Sequence, residues 1–296
     1  MIINHNLSSL NAWKHITSND TKLSKSIEKL SSGLRINNAG DDAAGLAISE
    51  KMRSRIKGLD MAKRNCMDVV SLLQTAEGAL ESVSNMLTRL QELTIQAGNG
   101  VYNDDDLANI QLEVDEIIQQ IDIVANTTAF NGLNILDGSY AVNGLSFQIG
   151  ITPNERITVT IPNMSSSKIG VVVGAGTVNS IADIDITDPD LLQENLDSIA
   201  KAINDITSTR ATFGAVQNRA EYTMENLATS SENMQAAESR IRDVDMAYEM
   251  ANYSKLNVLL QSGMSVLAQS NQKTQHVLKL LPVSYTHLTL PTNREV

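Results

Sequence analysis

Residues Leu59–Leu90 read LDMAKRNCMDVVSLLQTAEGALESVSNMLTRL. Leu59, Ala62, Cys66, Val69, Leu73, Ala76, Leu80, Val83, Leu87 and Leu90 follow one another in alternating steps of three and four without an error. A period sustained at 3.5 residues is the seam of a coiled coil or helical bundle. It predicts a mainly α fold, a long antiparallel helical bundle or coiled coil, with whatever strands the chain has confined elsewhere.

Working outward from the seam, AGNGVYNDDD stops the helix: Gly98 and Gly100 permit the turn, and Asn103 to Asp106 can cap the helix that follows and meet its dipole. Leu107, Ile110, Val114, Ile117, Ile121 and Val124 then repeat the helical spacing, so two antiparallel helices joined by a short loop are expected. Between Asn126 and about Gly176 the pattern changes to FNGLNILDG and to β-rich runs at Leu145 to Ile149 and Arg156 to Ile161, which predict one or two β-hairpins in the middle of the chain. GAGTVNSIADIDITDPD is a loop region and the expected exposed tip. From Leu191 the three-four step returns through Leu196, Ile199, Ile203, Ile206, Phe213, Ala220, Met224, Leu227 and Met234, with polar interruptions at Arg210, Gln217 and Ser231, and resumes after a slip at Ala237. Some sixty continuous helical residues would reach ~90 Å.

The two ends carry narrower stripes. Ile3, Leu7, Leu10, Trp13, Ile16, Leu23, Ile27 and Leu30 mark the first helix, and Leu256, Leu259, Gly263, Val266, Leu278 and Leu281 the last. Neither stripe is a self-sufficient core. Each needs partners, so the ends are expected to pair with each other and with neighbouring copies. Between the first helix and the seam lies SSGLRINNAGDDAAGLAISEKM, Ser31 to Met52, where Gly33 and Gly40 let the backbone leave the helix. Asp41 or Asp42 can cap the next helix, and Gly45 with its alanine neighbours leaves room for another backbone. The segment after Leu281, PVSYTHLTLPTNREV, breaks the helical pattern with two prolines and is read as a foreign or read-through tail.

Composition removes several function classes. The chain has 296 residues and a net charge of -11, with scattered Lys and Arg, which argues against nucleic acid as a partner. Aromatics are only 3%, little material for pocket walls, whereas the abundant aliphatic residues suit closely spaced helices. Cys66 is the one cysteine and falls on the seam, so no internal disulfide can form. No run approaches the roughly 18 apolar residues of a membrane span, and the first twenty residues lack the pattern of a secretory signal. His5, His15, His276 and His287 are far apart in sequence and show no metal-ligand spacing. Nucleotide-binding and serine-hydrolase motifs are missing. The acid runs at Asp41-Asp42 and Asp104-Asp105-Asp106 each precede a helix and read as caps. No catalytic residue, metal site or cofactor is expected, and the chain is not read as an enzyme.

MIINHNLSSLNAWKHI, SSGLRINNAGDDAAGLAISEKM, LTRLQELTIQAGNG, FNGLNILDG and GAVQNRAEYTMENLATSSENMQAAESRIRDVDMA together resemble bacterial flagellin over nearly residues 1 to 281, in a near-minimal form with a short central region. The resemblance implies a structural subunit, secreted through the flagellar channel without a cleaved signal, that polymerises into the extracellular flagellar filament for motility. It implies a division into an N-terminal inner-core helix (1–32), a spoke or connector (33–58), outer-core helices and β-hairpins with a short variable tip (59–190), a long outer-core helix and return connector (191–251), a C-terminal inner-core helix (252–281) and a non-native tail (282–296). Gly33, Gly40, Asp41, Asp42 and Gly45 fall in the spoke, as subunit-packing positions. The implied partners are further copies of the chain, a flagellar export chaperone on Leu256 to Leu281, cap and junction proteins, and a flagellin-sensing Toll-like innate receptor. Arg89, Leu93 and Glu113 match the family's receptor-contact pattern. The related hook-filament junction protein, which shares the terminal architecture, is the alternative.

Overall fold

The computed structural model describes residues 6–171 and 180–280. Expectations at Ile3, His5, Leu281, His287, residues 282–296 and the 172–179 part of the tip lie outside the described residues. The fold is mainly α, as the seam predicts: α1 (Leu7–Ser32), α2 (Ala43–Ala97), α3 (Asp104–Thr127), α4 (Leu192–Arg242) and α5 (Met246–Leu280), with four short strands between α3 and α4. The chain divides into two compact units, residues 52–235 and residues 1–51 together with 236–296.

Within 52–235, every residue of the Leu59–Leu90 seam is buried. From Val69 onward the seam joins Val114, Ile121 and Ala125 of α3 and Ile199, Ala202, Ile206, Phe213 and Ala220 of α4 in one core. Leu59, Ala62 and Cys66 form a smaller cluster with Leu227. Polar side chains fix the direction of packing. The Ser231 hydroxyl donates to Asp60 at 3.2 Å and Arg210 pairs with Glu77 at 3.6 Å, so α4 runs antiparallel to α2. Two of the polar interruptions in the α4 stripe are therefore cross-links to α2. Asn103 accepts from the Asp106 N–H at 2.8 Å and three aspartates occupy the first turn, which is why α3 starts there.

The strands β1 (Ala129–Phe130) and β2 (Leu133–Asn134) pair antiparallel about Asn131 and Gly132. Both turn residues have positive φ, 50° and 80°, the backbone an Asn-Gly hairpin turn requires. β3 (Leu145–Gln148) and β4 (Arg156–Val159) form the second hairpin, with Leu145 opposite Val159. Ile157 and Val159 point into the core and alternate with exposed neighbours, so the hairpin covers one side of the bundle. Farther along, Gln111 braces the return segment before α4, donating to the Ile184 carbonyl at 3.2 Å and accepting from the Ile186 N–H at 2.9 Å.

The expected run of some sixty helical residues is interrupted. α4 ends at Arg242 and α5 starts at Met246. The break has two local causes. The Val244 N–H turns away to donate to the Gly33 carbonyl at 3.0 Å. Asp245 accepts from the Ala247 and Tyr248 N–H groups at 3.0 and 3.1 Å, capping a new helix.

In the unit formed by the chain ends, α1 packs along α5. The Asn6 amide donates to the Ser270 carbonyl at 3.3 Å, the Ser9 hydroxyl to Asn271 at 3.0 Å, and Ser26 to the buried Glu249. Gly263 lets Ile16 approach closely: a Cβ there would sit 3.0 Å from the Ile16 Cγ1.

Candidate functional site

The residues singled out between Gly33 and Gly45 come together around one clasp. Gly33 closes α1 in the left-handed conformation (φ 72°), its N–H donating to the Lys29 carbonyl at 2.9 Å. The chain then runs extended against the segment after α4. Leu34 and Asp243 form an antiparallel bridge, and the Arg35 N–H donates to the Arg242 carbonyl at 2.6 Å. The Arg35 guanidinium adds a bond to the Ile241 carbonyl at 2.6 Å. Arg242 is buried and pairs with Glu50.

The two aspartates have separate tasks. Asp41 accepts from the Asn38 and Asn37 N–H groups at 3.2 and 3.3 Å, and these bonds, helped by Lys25, hold its carboxyl below the usual carboxylate value. Asp42 caps α2, its carboxylate accepting from the Gly45 N–H at 2.9 Å and its carbonyl from the Leu46 N–H at 3.0 Å. The room at Gly45 is used inside this clasp: a Cβ would lie 2.5 Å from an Asp42 carboxylate oxygen and 2.8 Å from the Ile36 Cδ1. Gly40, by contrast, faces open space. Sequence reading missed Arg35, Arg242 and Asp243. The one available signal was the pair of acids in RIRDVDMA, which marks the helix break but not its partner.

Arg89, Leu93 and Glu113 occupy different environments. The Arg89 Nε donates to Glu113 at 2.9 Å and its Nη1 pairs with Glu92 at 3.2 Å, all three side chains being about half exposed. Glu113 first, and Glu92 after it, raise the Arg89 pKa further above its ordinary value. Leu93 is 1% exposed and belongs to the core. Of the three residues that match the receptor-contact pattern, Leu93 is therefore placed beneath the surface, its side chain packed in the core under the face that carries Arg89 and Glu113. A signal for this was present, since Leu72, Ala79, Met86 and Leu93 recur every seven residues and form a second apolar line beside the seam.

On the helix pair of the chain ends, large apolar side chains remain uncovered. Trp13 is 61% exposed, and Leu7, Leu10 and Ile27 of α1 and Val258, Leu259, Met264 and Val266 of α5 are also exposed. Ser26 is the buried residue of α1. Among the described residues no group of histidine, cysteine, aspartate and glutamate could hold a metal ion, and no helix is long and apolar enough to cross a membrane. His15 and His276 are exposed on separate helices.

These features define a helical chain whose two ends make one unit with bare apolar surface while its middle makes another around a core. Residues 3–141 match the bacterial flagellin N-terminal helical region, and residues 196–281 match the bacterial flagellin C-terminal helical region. The chain is 46% identical to a flagellin of Bacillus subtilis over 95% of its own length and 100% of the relative. It is 43% identical to the flagellar filament 33 kDa core protein of Treponema phagedenis, with the same coverage. A chain from Vibrio parahaemolyticus assigned as a flagellar hook-associated protein shares the fold at a TM-score of 0.58 and 14% identity, covering 69% of this chain and 100% of that one. The protein belongs to the bacterial flagellin family, whose members are structural proteins.

Proposed function

We propose that this chain is the subunit of a bacterial flagellar filament, secreted and polymerised outside the cell for motility. The observation that carries the reading is the exposed apolar face of the α1 and α5 pair, with Trp13, Leu10 and Val258 uncovered. Two helices with few buried side chains of their own leave this surface in water, and further copies of the chain would cover it. The relatives named as flagellin and filament core protein support a filament subunit over the hook-filament junction alternative. The shared fold of the hook-associated chain fits either reading. In this proposal residues 33–58 are the connector between inner and outer parts, 1–32 and 252–281 the inner helices, and 59–190 with 191–251 the outer part. An export chaperone would take Leu256 to Leu281 before assembly, and cap and junction proteins would receive the chain at the filament.

The test is polymerisation. Purified chain, with and without residues 282–296, is given filament seeds or a precipitating salt and imaged by electron microscopy. Long helical filaments support the proposal, whereas monomers under every condition reject it. A Toll-like innate receptor is a proposed second partner, with Arg89 and Glu113 as the exposed contact pair. Reversing the charge of Arg89 should abolish a cellular reporter response with helix content unchanged, and an unchanged response rejects that surface.

A further inference from the structure

Unit 52–235 carries two charged faces of opposite sign that do not meet within the chain. α3 contains Asp104, Asp105, Asp106, Glu113, Asp115, Glu116 and Asp122 and neither Lys nor Arg. On its exposed side Asp105, Leu112, Glu116 and Ile123 follow at spacings of seven, four and seven, which places them along one helix face. Leu112 is 64% exposed, so the face alternates acid and bare hydrocarbon. On α2, Lys57, Met61 and Arg64 follow at spacings of four and three on another exposed face, with Met61 52% exposed, and the stripe ends at Asp68. It alternates base and bare hydrocarbon in the same way.

The two stripes cannot pair in one copy. The Arg89–Glu113 bond ties α3 to the far end of α2. Arg64 lies ~38 Å along the helix from Arg89, and Glu116 advances only ~5 Å from Glu113 in that direction. The gap exceeds any side-chain reach. We infer that the acidic face of α3 in one copy seats on the basic face at Lys57, Met61 and Arg64 of the next copy. This inference rests on the filament reading and names a contact within it. Complementary charges fix the register, and the exposed Leu112, Ile123 and Met61 are covered at the same time. Because the donor and acceptor faces are different surfaces displaced along the unit, the contact is head-to-tail and can repeat without closing.

The experiment is a charge-swap on full chains. One variant carries Lys57→Glu and Arg64→Glu, a second carries Asp105→Lys and Glu116→Lys, and circular dichroism checks that both stay helical. Each alone puts like charges together and should elongate on its own seeds at least about tenfold more slowly than the unmodified chain. An equimolar mixture restores opposite charges at every contact and should elongate within about threefold of it. Single variants that elongate normally overturn the inference, as does a mixture that stays slow or yields closed dimers only. Those failures leave the filament reading intact if the unmodified chain polymerises; an unmodified chain that stays monomeric rejects both.

Discussion

Replacing Leu93 by Ala separates a residue that touches a partner from one that supports the surface a partner touches. The side chain is 1% exposed in the core shared by α2 and α3. The substitution removes three carbons, worth ~2.4 kcal/mol at ~0.8 kcal/mol for each, and leaves a cavity that raises the cost to about 3–4 kcal/mol. For a unit of 52–235 this lowers the thermal midpoint by about 6–15 °C, and the urea midpoint by about 1.5–2 M at a slope of ~2 kcal/mol per M. Circular dichroism in urea measures it directly. Leu93→Met keeps the volume and should cost less than about 1.5 kcal/mol. In a receptor reporter assay at a temperature where Leu93→Ala is still folded, the response should persist, because the surface pair Arg89 and Glu113 is still presented. An unchanged unfolding midpoint together with a lost response would refute the argument, since the side chain would then act by contact.

Gly170 has φ +69° and a Cβ there would lie 2.5 Å from the Ser198 carbonyl oxygen; Gly170→Ala should therefore cost more than Gly33→Ala, where φ is +72° but the space is open and only the left-handed penalty of about 1–2 kcal/mol applies. Calorimetry of the two variants ranks them. Asp42→Ala removes the cap of α2 and should destabilise by about 1 kcal/mol, and Gly45→Leu should go further by displacing Asp42 and Ile36, loosening amide exchange across residues 36–46 even in monomers. Asp41 has a lowered carboxyl pKa, so its stabilisation is complete above the ordinary value of 3.8 and is lost as pH falls through the lowered folded value. Amide exchange at Asn37 and Asn38 should accelerate in that acid range, and Asp41→Asn should remove the pH dependence. Burial raises the Cys66 thiol pKa, so a thiol reagent at neutral pH should react slowly with folded chain and fast in denaturant, and equal rates would contradict the packing of that cluster.

How much of this was legible in sequence depended on whether a signal was local. The seam from Leu59 to Leu90 could be read because each apolar residue is three or four from the next, and every one is buried. The Asn131-Gly132 turn was legible because positive φ at both positions selects those residues. The clasp between residues 33–36 and 241–244 was not, because backbone bonds such as Arg35 N–H to Arg242 carbonyl carry no side-chain pattern and join positions about two hundred residues apart. The burial of Leu93 was not legible from the seam for a different reason. A helix that packs on two neighbours needs two apolar lines, and the Leu59–Leu90 seam marks only one of them, while Leu72, Ala79, Met86 and Leu93 form the other.

The same limit explains why the periodic stripe alone could not separate folding from association. The α2 seam and the α1 stripe obey the same three-four rule, yet Val69 to Leu90 are enclosed by α3, α4 and the β3–β4 hairpin, while Leu7, Leu10 and Trp13 stay bare beside α5. A hydrophobic repeat states that a face needs covering; it does not state which chain supplies the cover. Burial within one copy decides that question. Where the cover is absent, as on α1, the apolar area left in water is a driving force for association. It acts without direction, so it cannot by itself set a register; Gly45, whose space is filled by Asp42 and Ile36 of the same copy, orders the connector within the chain and belongs to folding.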